Sequence, residues 1–221
     1  MTIATSFGFL TACSSNTQVP NQSPNDVVTD INSNAADHTP VDNRKQGEGM
    51  DHSTMELGPA DAELDLRLID SMIPHHEGAI VMAKAVLQNS KRPELKKLAQ
   101  AVIKAQEQEI QQMRQWRKAW YPKAPKNPVA WHGAMGHSME MSAEQIKAMR
   151  MDIDLGATDP EFDKRFIDAM IPHHEGAIVM AKDVLQKSKR PEVLQLARNI
   201  LASQQAEIDQ MKQWRKAWYG K

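Results

Sequence analysis

The chain has 221 residues and a formal net charge of -1, with 25% charged residues, which excludes a nucleic-acid binder held by a basic surface. Its 41% hydrophobic content is ordinary for a soluble globular protein, and no run reaches the ~18 apolar residues of a membrane-spanning helix. One cysteine, Cys13, excludes an internal disulfide and thiolate metal clusters, while 14 methionines and eight histidines stand against four Phe and two Tyr.

Residues 1–58 read as an export segment followed by a linker. The apolar run Ile3 to Leu10 leads into Leu10-Thr11-Ala12-Cys13, the pattern of an exported lipoprotein. It departs from that pattern in having no Lys or Arg before the run and in the shortness of the run. The expected location is periplasmic or extracellular, with Cys13 as the candidate lipid anchor. From 14 to about 58 the chain is rich in Ser, Asn, Thr, Asp, Pro and Gly without an apolar period, which predicts a disordered linker. Met50, His52 and Met55 fall within six residues of it.

Residues 62–121 align without a gap with 160–219, and 40 of the 60 aligned positions are identical. The chain is therefore an internal duplication that can be compared with itself. Lys96/Leu194, Lys97/Gln195 and Ala101/Asn199 drift. The block from Met72 to Lys84 recurs unchanged as Met170 to Lys182, and Gln106, Glu109, Ile110, Met113 and Trp116 recur as Gln204, Glu207, Ile208, Met211 and Trp214.

The first repeat, 59–122, reads as a helical hairpin. Leu64, Leu68, Met72, His76, Ile80, Ala83 and Leu87 keep a 3.6-residue period, with Pro74 expected to kink the helix or remove one of its hydrogen bonds. Ser90-Lys91-Arg92 turns the chain, and Pro93 starts a second helix that runs to about Tyr121. Arg114, Arg117 and Lys118 near its end suit the helix dipole. The segment 123–158 reads as a Met/His-rich linker, with Ser142 and Gln145 as a capping box for a short helix over 142–151. The second repeat, 159–221, should be capped by Asp159 with Pro160 in its first turn. One hairpin cannot bury its apolar stripe alone, so the fold class is all-α, with two tandem hairpins forming a four-helix bundle.

Met72, His75 and His76 share one face of the first helix. An antiparallel hairpin turning near residue 91 puts Met113 near Met72, and Gln106 and Glu109 near the histidines. Met82 lies about two turns beyond His75 and fits core packing as well as ligation. Glu109 suits a supporting hydrogen bond to a histidine better than direct ligation. The same roles fall on Met170, His173, His174, Met180 and Met211, with Gln204 and Glu207 in support. Two adjacent histidines after a proline are poor material for a helix and need partners when buried, which points to ligation. Imidazoles with thioethers suit Cu(I), and Ag(I) by the same reasoning, over Zn, Mg or Ca. No Glu-x-x-His of the di-iron bundles occurs. His132, Met135, His137, Met139 and Met141 fall within ten residues. A polar loop has no core for a methionine to fill, so this cluster and Met50, His52 and Met55 are expected to be auxiliary metal sites.

At Met72-Ile73-Pro74-His75-His76-Glu77-Gly78-Ala79, repeated at 170, the chain resembles domain-of-unknown-function family 305. The pattern Gln106-x-x-Glu109-Ile110-x-x-Met113-x-x-Trp116 fits it too, and both repeats are covered. The resemblance implies a ferritin-like helical domain and an exported protein that binds copper and limits its toxicity. The expected function is sequestration or buffering of Cu(I), with Cu(II) and Ag(I) as further ions and a copper efflux system or sensor as partner. No catalysis is expected. The rival readings are a metal-dependent oxidoreductase such as a cuprous oxidase, and a structural helical module in which Met and His are core.

Overall fold

A computed structural model describes residues 55–220. The export segment, Cys13, most of the first linker, Met50 and His52 lie outside the described residues. The described chain is a helical bundle with one small sheet. Its elements are α1 Leu64–Asn89, α2 Pro93–Trp120, β1 Val129–His132, β2 His137–Glu140, α3 Ala143–Arg150, α4 Phe162–Lys187 and α5 Pro191–Tyr219. The two hairpins, α1–α2 and α4–α5, turn where the sequence places Ser-Lys-Arg-Pro, with Pro93 and Pro191 opening their second helices. Helix α1 runs unbroken through Pro74, and α4 through Pro172.

The hairpins pack with α1 antiparallel to α4, and each half of the core draws on both repeats. One half joins Leu64, Leu68 and Met72 of α1 to Met180 and Val184 of α4 and Leu196 of α5. The other joins Met82 and Val86 of α1 to Phe162, Phe166 and Met170 of α4 and Met211 of α5. Reciprocal braces tie the ends. Arg92 lies 4.0 Å over the Trp218 ring and 3.4 Å from Asp163, while Arg190 lies 4.0 Å over the Trp120 ring and 3.2 Å from Asp65.

Three local expectations are corrected. First, the linker contains an antiparallel β-hairpin, pairing Val129 with Glu140 and His132 with His137. It is anchored remotely: the Asp70 carboxylate, buried in α1, accepts from the Val129 backbone N–H at 2.9 Å. Second, Arg117 does more than suit a helix dipole. It donates to both Asp70 oxygens and to the carbonyls of Pro125 and Asn127, pinning the linker to the bundle. Third, Asp159 does not cap α4, which begins at Phe162 after Glu161. The Asp159 carboxylate accepts from the Glu161 backbone N–H in the turn before the helix and from Arg165, whose other N–H groups donate to the carbonyls of Leu155 and Ala157. Arg67 holds Leu57, Pro59 and Asp61 in the same way, so the duplicated unit begins at Leu57 and Leu155. The capping box of Ser142 and Gln145 is present as expected.

Because each core half needs residues from both repeats, a 59–122 fragment should be poorly helical or self-associated in circular dichroism and sedimentation. A stable helical monomer would contradict the interlocked core. The repeats also provide an internal comparison of one ion pair. The Asp70 side chain is 1% exposed, whereas that of its counterpart Asp168 is 32% exposed. Asp70→Ala leaves Arg117 and the Val129 N–H without their acceptor and should cost about 3–5 kcal/mol in urea unfolding. Asp168→Ala should cost no more than about 1 kcal/mol.

Candidate metal centre

The second residue of each His-His pair is anchored by a carboxylate from the following helix. His76 Nε2 donates to Glu109 Oε2 at 2.7 Å, and His174 Nε2 donates to Glu207 Oε2 at 2.7 Å. A carboxylate of this kind only accepts, so it fixes the proton on Nε2 and turns the Nδ1 lone pair toward the interior. The first residues of the pairs meet each other. The His75 and His173 rings lie in contact with centroids 3.9 Å apart and planes tilted by 47°, while each pair spans 6.2–6.4 Å. All four imidazoles are fully buried. They form a polar layer across mid-bundle, between the two apolar core halves.

The layer carries lone pairs that the protein does not satisfy. The Nδ1 atoms of His76, His173 and His174 and the Oε1 atoms of Gln106 and Gln204 are buried without a hydrogen-bond partner. Buried polar atoms are normally paired, so a concentration of such acceptors in one layer fits a bound cation. Burial, reinforced by neighbouring His174, pushes the His173 imidazole down to about 3. It is therefore neutral at ordinary pH, the form that can ligate a metal.

The methionines divide by core half. Met72 and Met113 share a half with Met180, and Met170 and Met211 share the other with Met82. Thus Met82 and Met180, assigned by sequence to their own repeats, pack with the opposite repeat. Each thioether group flanks the histidine layer from one side. Glu109 and Glu207 lie where the hairpin register predicts, each on its histidine, and Gln106 and Gln204 one turn before them are buried.

The linker candidates separate. Met55 and Met141 are 2% and 4% exposed, so the argument that a loop methionine has no core to fill fails for both. The other four stay on the β-hairpin. His132 and His137 face each other across the strands, Met139 lies on the same face, and Met135 stands in the exposed turn. Met151 was missed by the sequence reading, because it lies outside the repeat at the end of a short helix. A methyl group on Gly176 would stand 3.2 Å from His75 Nε2, 3.4 Å from the Met55 methyl carbon and 3.6 Å from the Met151 sulfur. Among the described residues, no three His, Cys, Asp or Glu side chains gather as a metal site.

The family described as Domain of unknown function (DUF305) matches residues 65–215. The chain is similar to CopM in its Cu(I)-bound form (39% identity, TM-score 0.54), its Cu(II)-bound form (41%, 0.56) and its co-crystallised Ag-bound form (40%, 0.57). Each of these likenesses covers 70% of this chain and 97% of that one. A DUF305 fragment from Deinococcus radiodurans is 28% identical with a TM-score of 0.52, over 70% of this chain and 95% of that one. The Uncharacterized protein L153 of Acanthamoeba polyphaga mimivirus is 47% identical over 49 residues, 22% of this chain. That match spans about a third of the viral protein, 32% of its length.

The buried imidazole makes the metal-free protein sensitive to acid. Unfolded, His173 takes up a proton near its ordinary 6.5; folded, it does so only near 3. Between these values the unfolded state binds more protons, so stability is complete above pH 6.5 and declines as pH falls through the window, by at most ~1.4 kcal/mol per pH unit. Urea unfolding at pH 7 and pH 5 should show this decline, and His173→Gln should reduce it. An equal decline in that variant would remove His173 as the source.

Proposed function

Because the chain belongs to the DUF305 family, we propose that it is an extracytoplasmic copper-binding protein that holds Cu(I), and Ag(I) in its place, in the buried histidine layer. The observation that carries this reading is the layer itself: carboxylate-anchored imidazoles with buried Nδ1 lone pairs, flanked on both sides by thioethers. Imidazole and thioether together favour a soft ion over Zn(II), Mg(II) or Ca(II). The likeness to CopM in Cu(I)-, Cu(II)- and Ag-bound forms supports the choice of metal.

His75, His76, His173 and His174 are the nitrogen donors in this reading. Met72, Met113 and Met180, with Met170, Met211 and Met82, are the sulfur donors on either side. Glu109 and Glu207 hold His76 and His174 in the tautomer and orientation that ligation needs. Gln106 and Gln204 line the same layer. His132, Met135, His137 and Met139 on the β-hairpin form one auxiliary capture site, and Met50 and His52 belong to a separate one. The ion is cargo: the protein sequesters or buffers it, hands it to an efflux system or sensor, and catalyses no reaction. The two hairpins fall within 59–122 and 159–221, joined by 123–158, and each duplicated unit opens just before its hairpin, at Leu57 and Leu155.

Anaerobic titration against a competing chelator, with metal counted per chain, tests this. Cu(I) and Ag(I) should bind far more tightly than Zn(II) or Mg(II). The variant His75→Ala/His76→Ala/His173→Ala/His174→Ala should lose the tight sites. Glu109→Gln/Glu207→Gln should weaken them by roughly 10–100-fold. Equal or stronger Zn(II) binding would sink the proposal, and accelerated loss of Cu(I) under air with turnover would replace it with a cuprous oxidase.

A further inference from the structure

Exact duplication of Met-Ile-Pro-His-His-Glu-Gly leads to the expectation of two equivalent imidazole sites. The linker breaks that equivalence. On one side the Arg150 backbone carbonyl accepts from His173 Nε2 at 3.0 Å. The same oxygen seats against Gly78, where any Cβ would lie 1.8 Å from it. Gly78 therefore lets the linker backbone reach one imidazole. Its counterpart Gly176 faces different chemistry: His75 Nε2, the Met55 methyl and the Met151 sulfur surround the place its missing side chain would fill.

Met151 reaches that place through a costly backbone conformation. It ends α3 in the left-handed region, with φ 48°, alone among the described non-glycine residues. Met55 comes from the other side, out of the segment that precedes α1. By the repeat offset its counterpart is Ile153, which has no sulfur and is 50% exposed. Around Gly176 the three nearest groups are thus one imidazole and two thioether side chains, whereas around Gly78 the three nearest atoms all belong to the Arg150 backbone.

We propose that Met151 and Met55 are thioether donors to a soft monovalent ion held at His75 Nε2, so that the duplicated layer takes metal unequally. This assignment rests on the reading of the layer as a soft-ion store. Methionine has three rotatable bonds and a polarisable sulfur, so both side chains can swing onto an ion at Gly176 with the helices fixed. His75 and Met55 are buried, whereas Met151 is half-buried, which makes Met151 the donor that an incoming ion meets first.

The test uses the full chain, with anaerobic Cu(I) titration against a competing chelator and copper X-ray absorption to count sulfur neighbours. Met→Leu conserves volume, and Met151→Gly removes the sulfur while accepting the backbone angle; circular dichroism of the metal-free forms confirms folding. Met151→Leu, Met151→Gly and Met55→Leu should each weaken the tightest site by at least the roughly 10-fold that loss of a supporting partner costs, with fewer sulfur neighbours. Gly176→Ala, which fills the space between the donors, should do the same to affinity. Met149→Leu, on the same short helix, should leave both readouts unchanged. Wild-type affinity and sulfur count in the Met55→Leu/Met151→Leu variant, alongside loss of binding in the four-histidine variant, would overturn this assignment and leave the proposed function standing. Absence of tight Cu(I) binding by the wild-type chain would overturn both.

Discussion

An imidazole buried in a helical bundle must find an acceptor for its N–H, and this requirement sets the internal register of the protein. His76 reaches Glu109 and His174 reaches Glu207 across the same interval of 33 residues, at the same 2.7 Å. Each hairpin is thereby locked at its middle by one charge-assisted hydrogen bond. Any slip of α2 along α1 would leave a buried polar group without its partner. The turn at Ser90–Arg92 and the placement of Met113 in the same core half as Met72 both follow from that register. The layer also divides the apolar core, which is why the methionines fall into two separate groups.

What could be read from the sequence was local or repeated. The four long helices show as a 3.6-residue apolar period, the turns as Ser-Lys-Arg-Pro, and α3 as a capping box. The supporting glutamates follow from hairpin geometry alone. The β-hairpin could not be read this way, because its strands are four residues each and their pairing leans on Asp70, 59 residues from Val129. The regrouping of Met82 with Met170 and Met211 depends on how the two hairpins cross, and nothing local encodes that. Met151 was hidden by its position beyond the repeat. One available signal was passed over: Leu57-Gly58 and Asp61 recur as Leu155-Gly156 and Asp159, with both glycines at positive φ. Those motifs mark the true beginning of each repeat.

The two repeats diverge where their surroundings differ. In the first, the β-hairpin covers the Asp70–Arg117 pair, and the neighbouring Leu66 is buried. In the second, Asp168 and Arg215 are each about a third exposed (32% and 33%), Leu66 is replaced by Lys164, and the new lysine donates to Asp168 at 3.0 Å. The same carboxylate–guanidinium pair thus anchors a folded linker on one face and forms a surface network on the other. The central block is held identical by a different demand. His75 and His173 touch each other, and the residues around them pack against both hairpins.

The reciprocal braces of Arg92 over Trp218 and Arg190 over Trp120 have the form of an isologous interface, in which the same surface meets itself across a twofold axis. A homodimer of single hairpins would satisfy them equally well, with the two touching imidazoles at its axis. Perfect symmetry would then oblige both imidazoles to share one environment. Joining the halves in one chain lifts that obligation, because a single connecting segment can touch the axis from one side only. Here it gives His173 the Arg150 backbone carbonyl and brings the Met151 sulfur beside His75, where Met55 arrives from the segment before α1. Covalent fusion is what allows identical sequences to acquire different coordination chemistry.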